Sequence, residues 1–169
     1  MRSFIGIKLP YSIALNSLVA ECREMGKAVN PGNLHLTLKF LGDIQNVDTV
    51  RTSLADIRFQ RFTVIVKGMG AFPSSKRGRI LFVKASPEEK LKALANEVNL
   101  RTPEINLDHP FSPHITVLRA KQERDFSKVI ENYEDTTFLD FEVDHFTLFE
   151  SVLHREGPVY NEIMNYQLI

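Results

Sequence analysis

The feature that most constrains this chain is that its second half echoes its first at an offset of about 77 to 79 residues. Arg2-Ser3-Phe4-Ile5-Gly6-Ile7-Lys8-Leu9-Pro10 is answered by Arg79-Ile80-Leu81-Phe82-Val83-Lys84-Ala85-Ser86-Pro87. Each is a short apolar run ending at a proline suited to open a helix at its first position. A helical pattern follows in both copies, through Ile13, Leu15, Leu18, Val19 and Cys22 in one and Leu91, Leu94, Ala95 and Val98 in the other. Then Asn30-Pro31-Gly32-Asn33-Leu34-His35-Leu36-Thr37-Leu38 matches His109-Pro110-Phe111-Ser112-Pro113-His114-Ile115-Thr116-Val117, turn chemistry leading into a short strand each time. Weakly helical stretches near 47–57 and 124–133 come next. The strand-like runs Phe62–Lys67 and Phe138–Val143 follow them as counterparts, and a last strand near 158–168 is free to pair back and close a sheet.

This order predicts an α+β fold of two antiparallel sheets with outer helices, related by a pseudo-twofold axis and enclosing a cleft. No Gly/Ser/Pro-rich linker divides the halves, so residues 1–169 read as one domain built from pseudo-repeats of about 2–76 and 79–151.

In a strand, residues i and i+2 share a face. His35 and Thr37 therefore point one way and Leu34, Leu36 and Leu38 the other; His114 and Thr116 are likewise opposed to Ile115 and Val117. About a twofold axis the four polar side chains converge. Two imidazoles flanking a phosphorus atom supply the proton acceptor and the proton donor that phosphodiester cleavage needs, because histidine titrates near neutrality. The threonine hydroxyls would donate hydrogen bonds to the non-bridging oxygens. Which histidine is base and which acid is left open. A single His-x-Thr is a common accident, and it is the matched pair that points to a site. A metal centre has less to recommend it. There is no His-x-x-x-His pair and no cysteine cluster, and His109 is separated from His114 by Pro110-Phe111-Ser112-Pro113.

At these residues the chain resembles the two-histidine (2H) phosphoesterases, in the branch of RNA 2′,3′-cyclic phosphodiesterases and 2′-5′ RNA ligases. The likeness runs nearly end to end. It covers Arg2–Gly6, His35-Leu36-Thr37-Leu38-Lys39-Phe40-Leu41-Gly42, Phe72-Pro73-Ser74, Phe111–Arg119 and Gly157-Pro158-Val159-Tyr160. The resemblance implies His35 and His114 as catalytic, Thr37 and Thr116 as phosphate ligands, and Arg119 as an anion contact. It also implies hydrolysis of 2′,3′-cyclic phosphate ends to 2′-phosphates, with 2′-5′ ligation as the reverse chemistry, and no cofactor or metal. Departures are mild: Val117-Leu118 stands where Leu-Ala is frequent, and Phe82 where tryptophan is.

Other residues carry weaker expectations. Arg119 lies five beyond His114, so strict alternation puts it on the wrong face unless the strand bulges. Lys39 has the right parity for the site, four beyond His35, but at that reach it is equally well read as a solvated rim charge. Lys76, Arg77 and Arg79 read as a solvated turn or a contact to RNA phosphates. Phe4, Phe72, Phe111 and Tyr160 are candidates for stacking on a base. His145, alternating with Leu139, Phe141 and Val143, reads as a core histidine, and His154 as a loop residue.

Composition narrows the partners. Lysine and arginine balance aspartate and glutamate at 21 each, which disfavours an extended duplex-binding surface and leaves room for a local site for an RNA end or a small nucleotide. No apolar segment is long enough to span a membrane, and Lys8 interrupts any leader-like core. The lone Cys22 excludes an internal disulfide and suits a reducing cytoplasm. The expectation is a cytoplasmic monomer. The rival readings are an RNA-end or nucleotide-binding module with little turnover, and a phosphodiesterase for another small cyclic or 2′-5′ nucleotide.

Overall fold

The computed structural model describes residues 1–107 and 110–169. His109, one of the residues weighed above for metal binding, lies outside them. The elements run β1 (Arg2–Lys8), α1 (Ile13–Cys22), β2 (Lys27–Ala28), β3 (His35–Asp43), α2 (Val47–Leu54), β4 (Phe62–Phe72) and β5 (Gly78–Ser86). They continue with α3 (Glu88–Arg101), β6 (His114–Arg124), α4 (Ser127–Asn132), β7 (Thr137–Val143), β8 (His145–His154) and β9 (Gly157–Gln167). Every strand pairing is antiparallel. One sheet has the order β3-β1-β8-β9 and the other β2-β6-β5-β4-β7, so the expected pair of antiparallel sheets with helices is what forms.

The two sheets are built by exchange. β4 follows α2 but joins β5 in the second sheet, and β8 joins β1 in the first. The counterpart of β4 is therefore β8. The run 138–143, expected in that role, is the edge strand β7 beside β4. The strand register explains the difference: Phe62 pairs with Val143 itself, so the two runs are neighbours in one sheet and cannot be equivalents in two. Helices cross over as well, α3 contacting β3 of the first sheet and α1 contacting β6 and β7 of the second. The apolar core is correspondingly continuous, with Ile5, Leu36 and Leu148 of one sheet in the same buried cluster as Leu81, Ile115 and Val66 of the other.

Local chemistry sets the helix starts. Ser12 caps α1, its oxygen accepting from the Leu15 amide at 3.2 Å while its hydroxyl donates to the Phe138 carbonyl at 2.9 Å. The helix is thereby tied to β7. Pro10 and Pro87 precede their helices without occupying the first turn; Pro87 stands at the cap position of α3. Leu15, Leu18, Val19 and Cys22 are buried as their spacing requires, whereas Ile13 is exposed. Burial pushes the Cys22 thiol up to about 11, aided by the neighbouring Glu21 carboxylate, so it stays protonated at neutral pH. No helix among the described residues is long and apolar enough to cross a membrane.

Candidate active site

β3 and β6 are the two His-x-Thr strands, and they bury their residues alike. Histidine and threonine are half-buried with one buried residue between them, and two consecutive buried residues follow before an exposed one. The consecutive buried pair marks a β-bulge in each strand. Ile5 pairs with Lys39 and Gly6 with Thr37, leaving Leu38 unopposed; Leu81 pairs with Leu118 and Phe82 with Thr116, leaving Val117 unopposed. A bulge adds one residue and so inverts the alternation beyond it. Arg119 is thereby returned to the face that carries His114 and Thr116. Lys39, whose parity favoured that face, is turned inward.

Lys39 is accordingly no rim charge. It is 2% exposed, and its ammonium donates to Asn99 Oδ1 (2.7 Å), the Thr102 carbonyl and hydroxyl (both 2.9 Å) and the Ile105 carbonyl (2.6 Å). Burial lowers its pKa from the ordinary lysine value, opposed by the Glu104 carboxylate. The charge is met by acceptors at the C-terminal end of α3, where carbonyls lack helical partners.

Both imidazoles are held the same way. Nδ1 of His35 lies 2.7 Å from the Asn33 carbonyl, and Nδ1 of His114 lies 2.7 Å from the Ser112 carbonyl, two residues upstream in each case. A carbonyl only accepts, so Nδ1–H donates and Nε2 is the atom at which each neutral ring would take up a proton. Burial holds the His35 pKa below its ordinary value. The charges of Arg119 and His114 press the same way, against the opposing pull of the Asn33 hydrogen bond. His35 therefore feels both residues of the opposite strand across the cleft.

Each ring sits against aromatic walls. His35 lies 4.8 Å from the Phe4 ring and 5.1 Å from Tyr160, while His114 lies 5.0 Å from Phe72 and 5.3 Å from Phe82. The Asn33 side chain donates to the Pro158 carbonyl at 3.0 Å, which brings the start of β9, and with it Tyr160, to the His35 turn. Burial raises the Tyr160 pKa, opposed by the charges of Arg119 and Arg2. Arg2 thus joins the neighbourhood, a residue with no role assigned from the sequence.

Of the four aromatics proposed for stacking, Phe4 is 3% exposed and already stacked on Phe149 at 4.9 Å, so it is a wall. Phe72 and Tyr160 are half-buried beside the histidines, and Phe111 packs against the core. Phe82 and Phe149 complete the walls. Phe40 also belongs here, and it could have been found from the 79-residue offset that relates it to Arg119 as His35 to His114.

The remaining expectations resolve away from the cleft. Arg77 pairs with Glu123 at 2.8 Å and Arg79 donates to the Lys121 carbonyl at 2.8 Å, so these two arginines tie the β4–β5 turn and the start of β5 to the neighbouring strand β6. His145 is not a core residue: the tight β7–β8 turn leaves its side chain 38% exposed, with Nδ1 2.5 Å from Asp144. Glu142 and His145 form a Glu-x-x-His sequence, yet they sit at a strand turn, and Glu142 pairs with Arg61 at 3.6 Å. Among the described residues no group of three or more His, Cys, Asp or Glu side chains is placed to hold a metal ion. A pocket of about 870 Å³ lined by Leu9, Tyr11, Leu15, Leu34, Asp144 and His145, among others, includes none of the paired histidines or threonines. His35, His114 and Arg119 lie elsewhere, on β3 and β6, which contact one another.

Two antiparallel sheets with a His-x-Thr strand at the corresponding place in each have the architecture of a two-histidine phosphoesterase. The chain belongs to the 2′-5′ RNA ligase superfamily, whose family model matches residues 10–155. An RNA 2′,3′-cyclic phosphodiesterase of Archaeoglobus fulgidus is 30% identical over 99% of this chain and its own whole length. One of Aquifex aeolicus is 30% identical over 99% of this chain and 97% of its own. Among solved structures, a protein of Thermus thermophilus matches with a TM-score of 0.82 at 29% identity, covering 99% of this chain and 97% of its own. Escherichia coli LigT complexed with 3′-AMP matches with a TM-score of 0.82 at 25% identity and the same coverage.

Proposed function

We propose that this protein hydrolyses 2′,3′-cyclic phosphate ends of RNA or oligonucleotides to 2′-phosphates, without a metal, using His35 and His114 as the acid–base pair. The observation that carries the reading is the matched tethering of both Nδ1 atoms, which makes Nε2 of each ring the atom for proton exchange. Full-length relatives named RNA 2′,3′-cyclic phosphodiesterase support the reaction class, and LigT complexed with 3′-AMP supports a small nucleotide as ligand.

In the proposed reaction, water attacks phosphorus as one imidazole takes its proton. The bond from phosphorus to O3′ breaks, and the other imidazole protonates O3′, leaving a 2′-phosphate and a 3′-hydroxyl. Thr37 and Thr116 donate hydrogen bonds to the non-bridging oxygens, and the Arg119 guanidinium neutralises their charge. With a 5′-hydroxyl attacking phosphorus in place of water, the same bond to O3′ breaks and a 2′-5′ linkage forms. The two interlocked pseudo-repeats work as one domain, because each supplies one histidine. A monomer acting in the cytoplasm suffices for this chemistry.

The test is turnover of an oligonucleotide bearing a 2′,3′-cyclic phosphate in the presence of EDTA. His35→Ala and His114→Ala should each lower kcat by at least about 100-fold. Full activity in either variant would overturn the two-histidine mechanism, and strict dependence on added metal would overturn the metal-free one.

A further inference from the structure

Lys8 is the antiparallel partner of His35, so the two side chains leave neighbouring strands on one face, from Cα atoms about 5 Å apart. Lys8 is exposed and has no ion-pair partner among the described residues. It also lines the pocket of about 870 Å³, together with Gly32 and Leu34 of the turn that delivers His35. The pocket therefore adjoins His35 without including it. Opposite walls come from the β7–β8 turn and from Tyr11, which stands just ahead of α1 and is 76% exposed. Two of the carboxylates there are already engaged, Asp144 by His145 at 2.5 Å and Glu142 by Arg61 at 3.6 Å. Lys8 and Glu162 are left as its unpaired charges. Glu162 shares the face of His35, because it pairs with Phe149 and Phe149 pairs with Phe4. The volume lies within the range of pockets that hold nucleotide-sized ligands.

We propose that this pocket is the subsite for the nucleotide preceding the cyclic end, so that the protein prefers oligonucleotide ends to mononucleotides. The proposal rests on the two histidines being the reaction site. With the cyclic phosphate held there, the chain leaving the terminal ribose passes Lys8, whose ammonium meets the connecting phosphodiester. The exposed Tyr11 ring gives the preceding base a stacking face, and such a face is tolerant of base identity. Leu9, Leu15 and Leu34 supply an apolar floor beside it. An ionised Glu162 only accepts hydrogen bonds, and the 2′-hydroxyl of the preceding ribose is a donor suited to it. One cation for one phosphodiester and one acceptor for one hydroxyl match a single added ribonucleotide.

The experiment measures kcat/KM for adenylyladenosine 2′,3′-cyclic phosphate and for adenosine 2′,3′-cyclic phosphate in the wild type, Lys8→Ala, Lys8→Arg and Tyr11→Ala. In parallel, adenylyladenosine 2′-phosphate and adenosine 2′-phosphate are titrated into each protein over a range of salt. The wild type should prefer the dinucleotide by about 10-fold or more. Lys8→Ala and Tyr11→Ala should each lower that preference by about 5-fold or more, and Lys8→Arg should keep it. Lys8→Ala should also reduce the slope of log K against log salt for the dinucleotide by about 0.7, the loss of one phosphate contact. A wild type that treats the two substrates alike, or Lys8→Ala and Tyr11→Ala variants that keep the full preference, would overturn the subsite. Should the wild type turn over neither cyclic phosphate, the hydrolytic reading fails. The titrations then decide the pocket, and a dinucleotide bound no more tightly than the mononucleotide overturns it.

Discussion

Lys39 and Thr102 are joined by two hydrogen bonds of 2.9 Å, one to the carbonyl and one to the hydroxyl, and through them the first His-x-Thr strand is fastened to the end of α3. The residue that makes this link sits in the core because the bulge at Leu38 turned it there. It spans the two pseudo-repeats, since β3 belongs to one and α3 to the other.

Replacing Lys39 with methionine keeps the length of the side chain and removes the ammonium. The Thr102 and Ile105 carbonyls would then be left without their buried donor, at a cost of about 3 kcal/mol, given roughly 1.5–3 kcal/mol for a hydrogen bond to a charged group. At roughly 2–4 °C per kcal/mol for a protein of this size, Tm should fall by about 6–12 °C. A thermal melt within 2 °C or so of the wild type would show that the buried ammonium contributes nothing net.

His35 makes stability sensitive to mild acid. Its folded pKa lies below the ordinary 6.5, chiefly because burial penalises the imidazolium. The unfolded chain therefore takes up the proton first as pH falls, and stability declines from about pH 6.5 down to the folded value, then levels. Above that window the contribution is fully present. NMR titration should find the His35 ring titrating below 6.5, and urea unfolding at pH 7.5 and 5.5 should show a smaller loss for His35→Gln than for the wild type.

The Arg119 guanidinium disfavours the His35 imidazolium, and in the proposed reaction it also meets the phosphate. Loss of its guanidinium in Arg119→Ala should lower kcat/KM by about 10- to 100-fold, the range for a charge-assisted hydrogen bond to phosphate. The same change removes a cation that disfavours the His35 imidazolium, so the His35 titration should move upward. Arg119→Lys should largely keep the titration midpoint while losing the planar fork. A fixed His35 midpoint in Arg119→Ala would mean that the two residues do not share the cleft.

The pairing of each histidine with its threonine was legible in the chain, because the two-residue period of a strand is a local property that needs no partner. So were the four apolar positions of α3 and the opposition of Leu36 and Ile115 to the cleft. What followed the threonines was not legible. Whether Lys39 or Phe40 faces the cleft, and whether Arg119 can reach it, depends on one unopposed residue in each strand. A bulge exists only relative to the strand alongside: Leu38 is extra because Gly6 pairs with Thr37 and Ile5 with Lys39, and Val117 because Phe82 pairs with Thr116 and Leu81 with Leu118. The exchange of β4 and β8 between the sheets is of the same kind, a choice of partner made by the packed core. By itself the sequence determined that two imidazoles and two hydroxyls would line corresponding strand faces. Tertiary pairing decided which residues stand beside them, because the register of a strand is a relation between two chain segments and neither segment carries it alone.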